Sequence, residues 1–196
     1  IPGSWVDTDY FFSSEYPKNS DKIVFLNISR LVEDKGIYEF LESAKIIKEK
    51  YNSVEFQLIG AMENEHSITK KVEDYNSKGI IKYLGHVEDV RDGIMNSHCV
   101  ILTSYREGMP RSLLEASSMS RPFISTNCIG SNEVIIDGFN GYSCKIKSID
   151  STVNAIEKFI LLSHDQKKLL GINARKYIKN KFEIKNTINK FLNVIR

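Results

Sequence analysis

The sequence predicts an α/β protein with a Rossmann-like, doubly wound parallel sheet of about six strands and a helical C-terminal segment. Two observations favour this class. Short, continuous apolar runs such as 23–26 and 99–102 are typical of strands that are covered on both faces. Stretches with apolar residues at helical spacing, such as 37–47, separate these runs. Strands and helices that alternate in this way imply parallel pairing with right-handed crossovers.

The predicted elements follow one another in a regular order. Strands are expected at 23–26, 56–59, 80–84, 99–102 and 122–124, with a turn and a sixth strand over 138–144. Helices are expected at 37–47, 67–78, 89–97 and 110–120, and from about 151 onward. Doubly wound sheets bind ligands beyond the carboxyl ends of their strands. This rule selects the segments 29–36, 60–62, 85–87 and 103–111.

Length and composition exclude several classes of protein. The chain has 196 residues, of which 41% are hydrophobic and 27% charged, an ordinary globular composition. No apolar run reaches the ~18 residues needed to cross a bilayer. Three cysteines, Cys99, Cys128 and Cys144, form no C-x-x-C pair, which argues against a disulfide framework or a zinc cluster and favours a reduced, cytoplasmic protein. The start at Ile1, without a basic or apolar leader, predicts the middle of a longer protein.

Positive charge is concentrated at the C-terminus. The net charge is +2, yet residues 165–196 hold nine Lys or Arg against two acids. We expect three regions: an inter-domain lead-in segment over 1–20, a sheet domain over 21–165 and C-terminal helices over 166–196. An apolar stripe in the last region is predicted to pack toward an absent N-terminal domain, and it comprises Ile184, Ile188, Phe191, Leu192 and Ile195. The excess charge would suit an anionic membrane surface, at the inner face of a plasma membrane, although a solvated helix face explains it equally well. No nucleic acid partner is expected.

The strongest motif spans residues 103–115, where a strand ends, a Gly-Met-Pro turn follows and a helix begins. Proline suits the first turn of a helix, and the N–H groups from about Met109 to Ser112 are expected to point outward as an anion site. Glu107 and Glu115 flank this site. Because carboxylates repel a diphosphate, we expect them to accept hydrogen bonds from sugar hydroxyls. The alternative is a surface acid and a helix-face acid.

A second motif, residues 29–36, places Arg30 and Lys35 after the first strand, at the same sheet edge. Arginine can bind phosphate oxygens in a bidentate manner, and lysine acts as a point charge. For this loop taken alone, a solvated surface is the alternative. Neither a Walker loop nor a G-x-G-x-x-G fingerprint is present.

Three further segments carry weaker signals. Residues 130–133 could form another nest of N–H groups near the ligand, whereas 137–141 are expected to be a plain turn. The D-x-D at 7–9 matches a metal-binding pattern, but it follows no clear strand. We therefore interpret it as surface structure.

Together, these motifs resemble the C-terminal, donor-binding domain of a family 4 (group 1) retaining glycosyltransferase with the GT-B fold. The resemblance covers about residues 20–182. It rests on S-R-x(4)-K-G at 29–36, G-H-V at 85–87, E-G-M-P-R-S-L-L-E at 107–115, R-P at 121–122 and G-S-N-E-V-I-I-D-G-F-N-G at 130–141. One departure is Ser120, where family members usually have glycine.

The resemblance implies a role for each matched residue. Arg30 and Lys35 would neutralise the donor diphosphate, Glu107 would contact the transferred sugar, and Glu115 would bind the ribose. Phosphate or sugar would also contact Gly108, Met109, Pro110, Arg111 and Ser112. The base would lie beside Gly85, His86 and Val87.

The implied reaction moves a hexose from a UDP-sugar to a glycan or lipid-linked acceptor with retention of configuration. It would need no metal and no cofactor apart from the nucleotide-sugar substrate. The acceptor would belong to the protein's own N-terminal domain, so this chain alone is expected to transfer no sugar. Two alternatives remain: a UDP-sugar 2-epimerase of GT-B fold, and a non-catalytic α/β interaction module.

Overall fold

The computed structural model describes residues 5–18, 22–63 and 65–184. Within these residues the strands are β1 (Ile23–Ile28), β2 (Val54–Ile59), β3 (Lys82–Tyr83), β4 (Cys99–Leu102), β5 (Phe123–Thr126) and β6 (Gly141–Cys144). The helices are α1 (Ile37–Lys50), α2 (His66–Ser77), α3 (Arg91–Asn96), α4 (Arg111–Ser118), α5 (Ile149–Ile160) and α6 (His164–Lys181). All strand pairs of the sheet are parallel, which confirms the predicted fold class.

The strand order reverses at the centre of the sheet. The order is β3-β2-β1-β4-β5-β6, so the chain runs outward from β1 on one side and then returns to build the other side from β4. Phe25 of β1 pairs with Cys99 of β4 at this reversal. The connections after two such neighbouring strands leave in opposite directions, and a crevice opens beyond their carboxyl ends.

Alternate residues of the central strands face two separate apolar clusters. Phe25 packs in the cluster under α1, α2 and α5, where its ring stacks on Phe56 with 5.1 Å between centroids. Leu26, the next residue, packs in the cluster under α3, α4 and α6 with Leu114 and Ile178. Because both faces of β1 are covered, its apolar run is continuous rather than alternating.

Several element boundaries differ from the prediction, each for a local reason. The strand expected at 80–84 is reduced to Lys82–Tyr83, because the N–H groups of Ile80 and Ile81 both donate to Tyr75 O at the end of α2. Pro110 is extended, with ψ 102°, and α4 begins one residue later. The helix expected from 151 onward is two helices, since Ser163 caps a new one in a reciprocal capping box with Gln166.

Fully buried Arg121 joins the lead-in segment to the sheet domain. Its guanidinium donates to the carbonyls of Ile94 and Met95 in the last turn of α3, to Met119 O after α4, and to Ser14 O and Glu15 O in the lead-in segment. Burial lowers its pKa to about 10. These bonds fix the described part of the lead-in segment against the amino ends of the strands.

The two ends of the described chain lie side by side. Val6 N–H donates to Phe182 O at 3.0 Å, and Ile184 N–H donates to Val6 O at 3.2 Å. Thr8 also donates to the Glu183 carboxylate. The apolar stripe predicted at the C-terminus lies outside the described residues, apart from Ile184. In the part of the chain that the structure covers, no helix combines the length and the apolar character that crossing a bilayer requires.

Gly36 lets the loop after β1 approach the end of β4. It has a left-handed φ of 63°, and a Cβ built there would lie 2.0 Å from Thr103 O. Thr103 in turn donates its hydroxyl to Gly36 O at 2.8 Å. A side chain at position 36 would therefore separate two segments that the crevice needs close together.

Replacing Gly36 with alanine is expected to destabilise the fold more than replacing Gly79 with alanine. Gly79 has a similar φ of 67°, but nothing lies within 4 Å of the position that its Cβ would take. Both variants therefore bear the left-handed backbone cost of roughly 1 kcal/mol. The clash of the added Cβ with Thr103 O should raise the loss of unfolding free energy in Gly36→Ala to about 3 kcal/mol. Urea unfolding followed by circular dichroism measures both, and equal losses would contradict the close approach.

Candidate functional site

A cavity of about 620 Å³ lies beyond the carboxyl ends of β1 and β4, where the strand order reverses. Its lining joins the two strongest sequence motifs. The structure thus brings eight predicted site residues around one space: two after β1 and six between β4 and the middle of α4. Of the 107–115 set, Gly108 sits in the turn next to these residues. The full lining is Ile28, Ser29, Arg30, Lys35, Leu102, Glu107, Met109, Pro110, Arg111, Ser112 and Glu115.

Lys35 and Glu107 form an ion pair at this cavity. Lys35 Nζ lies 2.9 Å from Glu107 Oε1, and only 15% and 13% of the two side chains are exposed. The Ser104 hydroxyl donates to the same carboxylate oxygen at 2.7 Å. The sequence patterns predicted Lys35 and Glu107 separately. Ser104 lies within the predicted 103–115 motif, but the patterns gave it no role and did not predict contact between the pair.

Arg30 stands at the open side of the cavity. Its side chain is 62% exposed, and its Nη1 is 3.9 Å from Glu63 Oε1, at the limit of an ion pair. An exposed pair of this length contributes little to stability. Breaking the pair with Glu63 therefore costs little free energy, and the Arg30 guanidinium can turn toward an anion in the cavity.

The N-terminus of α4 forms one wall. Pro110 precedes the helix, and its carbonyl accepts from Leu113 N at 3.1 Å and Leu114 N at 3.2 Å. The N–H groups of Arg111 and Ser112 come before these first intrahelical bonds. Such groups, with the positive end of the helix dipole, favour a negatively charged ligand.

Glu115 is a buried acid one turn into α4. Its side chain is 12% exposed, and Arg111 Nη2 lies 3.5 Å away. Burial raises the pKa of this carboxyl, and the nearby guanidinium opposes the rise. Glu115 also lines a second, smaller cavity beside Trp5 and Phe11. The carboxylate therefore loses water on folding without receiving a buried cation in exchange.

The loop after β5 supports the 107–115 motif from behind. Glu107 N–H donates to Ile129 O at 3.2 Å. A Cβ on Gly130, whose φ is 85°, would lie 2.5 Å from both Glu107 O and Gly108 O. The predicted N–H nest here is partly wrong, because Asn132 and Glu133 donate their N–H groups within the turn itself.

The turn predicted at 137–141 is confirmed. Gly138 N–H donates to Gly141 O at 2.8 Å, and the Asp137 carboxylate accepts from Ser143 N at 2.7 Å. The surface interpretation of the D-x-D is also supported. Asp7 Oδ1 accepts from the N–H groups of Asp9 and Tyr10, which is the hydrogen bonding of a turn. Over residues 5–18, 22–63 and 65–184, no group of three His, Cys, Asp or Glu side chains is placed to hold a metal ion.

Gly85, His86 and Val87 lie apart from the cavity. They follow β3, which is separated from β1 by β2. Gly85 O accepts from Gly60 N at 2.9 Å, so this segment is bound to the end of β2. None of the three is among the described residues that line the 620 Å³ cavity. Their proposed contact with a base stays a prediction.

Comparison with known proteins gives consistent matches. The family model described as glycosyl transferases group 1 matches residues 10–177. CapM, a capsular polysaccharide biosynthesis glycosyltransferase of Staphylococcus aureus, is 30% identical over 183 residues, which are 88% of this chain and 47% of that protein. An Escherichia coli UDP-Gal:alpha-D-GlcNAc-diphosphoundecaprenol alpha-1,3-galactosyltransferase is 32% identical over 177 residues, which are 87% of this chain and 44% of that protein. The chain spans about half the length of these curated relatives.

The fold itself matches a solved structure. The crystal structure of a glycosyltransferase from Rickettsia africae superposes with a TM-score of 0.87 at 20% sequence identity. The match covers 99% of this chain and 55% of that chain. It shows that the whole described architecture recurs as one part of a larger protein.

Replacing Glu115 with glutamine is expected to stabilise the ligand-free fold at pH 7. Because burial raises the pKa of Glu115 in the folded state, the folded protein binds more protons than the unfolded chain above pH 4.5. Its unfolding free energy must therefore fall as pH rises through this range, and the variant escapes that loss. Urea unfolding between pH 4.5 and 8 should show a difference in unfolding free energy between Glu115→Gln and wild type that grows as the pH rises. The exposed Glu49→Gln is the control, and a variant that is less stable than wild type at pH 7 would contradict the assignment.

Proposed function

The chain belongs to the group 1 glycosyltransferases, and on this basis we propose that it is the nucleotide-sugar-binding half of a retaining hexosyltransferase. One observation carries the proposal. A single cavity gathers three cations, a helix N-terminus and two carboxylates, which together match the parts of a nucleoside diphosphate sugar. The family match supports a transferase over the 2-epimerase and the interaction module.

The cations and the helix N-terminus would hold the diphosphate. In sugar transfer, the departing nucleoside diphosphate gains negative charge. Arg30, Lys35 and the N–H groups of Arg111 and Ser112 offer fixed positive charge and dipoles for it. These groups can balance the charge of the leaving group, so we propose a donor site without a metal or other cofactor.

The two carboxylates would bind hydroxyl groups. A carboxylate accepts hydrogen bonds readily but repels phosphate, so it favours the sugar and ribose portions of the donor. We assign the transferred hexose to Glu107 and the ribose to Glu115, with the base toward 85–87. UDP is the proposed nucleotide, supported by the Escherichia coli relative, which is named for a UDP-Gal donor.

The acceptor would be a glycan or a lipid-linked saccharide held by the protein's own N-terminal domain. The relatives are about twice as long as this chain, which supports a partner domain across the cavity. We propose that transfer keeps the anomeric configuration and that this chain alone transfers no sugar. Proton NMR of the product of the longer parent protein would show the anomer, and an inverted product would exclude retention.

An anionic membrane surface is the proposed site of action, at the inner face of the plasma membrane. The exposed side of α6 carries Lys168 and Lys176 beside Leu169 and Ile172. Each basic residue near an anionic surface contributes about 1 kcal/mol of attraction. Sedimentation with phosphatidylglycerol vesicles, against neutral phosphatidylcholine vesicles, tests the contact. Equal sedimentation with both would contradict it.

The chain is expected to bind UDP in preference to GDP and ADP, with an affinity that falls as salt rises. Replacing Arg30 with alanine should weaken UDP binding by about tenfold, the value of one charge-assisted hydrogen bond. The control is Arg91→Ala, because Arg91 pairs with Asp89 away from the cavity. Titration calorimetry up to millimolar nucleotide measures these affinities. Failure of all three nucleotides to bind, or equal loss in both variants, would contradict the proposal.

A further inference from the structure

Glu107 is held at one oxygen by two donors. Its Oε1 accepts from Lys35 Nζ at 2.9 Å and from Ser104 Oγ at 2.7 Å. Both bonds end on the same atom, so neither involves Oε2. The carboxylate is thereby fixed in direction, and one of its oxygens takes no part in either anchoring contact.

Lys35 has two uses in the proposed reaction that compete with each other. In the structure it neutralises Glu107, yet the diphosphate of a donor would carry more negative charge than one carboxylate. An ammonium on a flexible stem moves easily toward the larger charge. If Lys35 turns toward phosphate, Glu107 keeps only the bond from Ser104.

Ser104 has no such competing use. It is fully buried, with 0% of its surface exposed, so a ligand in the cavity does not reach it. Its hydroxyl is directed to Glu107 in the ligand-free cavity. The bond is also short and ends on an ionised group, which makes it stronger than a hydrogen bond between neutral partners.

The backbone around Ser104 is tied on both sides. Ser104 O accepts from the Thr126 hydroxyl of β5. Thr103 Oγ1 donates to Gly36 O at 2.8 Å, and Tyr105 N–H donates to Asp34 O at 2.8 Å. These bonds hold residues 103–105 to β5 and to the loop that carries Lys35. The Ser104 hydroxyl therefore keeps its place even when the Lys35 side chain moves.

We propose that Ser104 is a positioning residue that keeps the Glu107 carboxylate aimed at the sugar while Lys35 neutralises the donor diphosphate. The inference rests on the proposed function, because it assumes that Glu107 meets the sugar portion of the donor. It predicts an effect confined to that portion. Loss of the hydroxyl should leave the nucleotide contacts intact and weaken those to the hexose.

The test compares UDP with UDP-sugars in wild type, Ser104→Ala and the matched control Ser125→Ala, by titration calorimetry. Ser125 is equally buried, and its hydroxyl donates to Thr126 O in β5, away from the cavity lining. The probes are UDP-glucose, UDP-galactose and UDP-N-acetylglucosamine, and the one that exceeds UDP most in wild type is carried forward. Ser104→Ala should lose about tenfold in affinity for that UDP-sugar. Its affinity for UDP should stay within about twofold of wild type.

A second variant separates positioning from general structure. In a Glu107→Gln background, Ser104→Ala should cause no further loss of UDP-sugar affinity, because the carboxylate that it positions is already gone. Additive losses would overturn the proposal. So would an equal loss for UDP and the UDP-sugar, or an equal loss in Ser125→Ala. If wild type binds no UDP, or gains nothing from any of the three sugars, the proposed function itself fails.

Discussion

The site depends on the close contact between the loop after β1 and the end of β4. Gly36 lies against Thr103 O with no room for a side chain, and Thr103 returns a hydrogen bond to Gly36 O. These two segments belong to strands that neighbour each other at the reversal of strand order. Because Gly36 and Thr103 O meet through their backbones, the contact fixes the backbone positions from which the Lys35 and Glu107 side chains extend. From these positions the Lys35 and Glu107 side chains are long enough to form the ion pair.

The same contact explains why charged groups can sit so close to the core. Lys35 and Glu107 are mostly removed from water, which is costly for either charge alone. Each is the other's main compensation, and Ser104 adds a hydrogen bond. Glu115 lacks such compensation, since its cationic neighbour is largely in solvent. In the ligand-free cavity, the charge of Glu107 is therefore compensated by neighbouring groups, whereas the charge of Glu115 is not.

Much of the fold was predictable because strands that are buried on both faces have continuous apolar runs in the sequence. The location of the site followed from the rule on carboxyl ends of strands, which placed Arg30, Lys35 and Glu107 at one edge, and Glu115 was predicted from the 103–115 motif. Contacts between distant residues were not predictable: Lys35 and Glu107 are 72 positions apart, and the Ser104 bond depends on side-chain direction. The shortening of β3 was not predictable for a different reason. Ile80 and Ile81, the apolar residues before the strand, donate their N–H groups to Tyr75 O and so do not pair with β2.

Val6 and Glu183 are adjacent, so the two ends of the described chain lie side by side. A polypeptide whose beginning and end are neighbours can be joined there and opened elsewhere without changing which strands pair. The Gly79 turn, with open space around it, is a suitable place to open it. Such a circularly permuted chain should keep the same sheet. Val6 and Ile184, at the two ends of the described chain, therefore lie at a common corner of the unit.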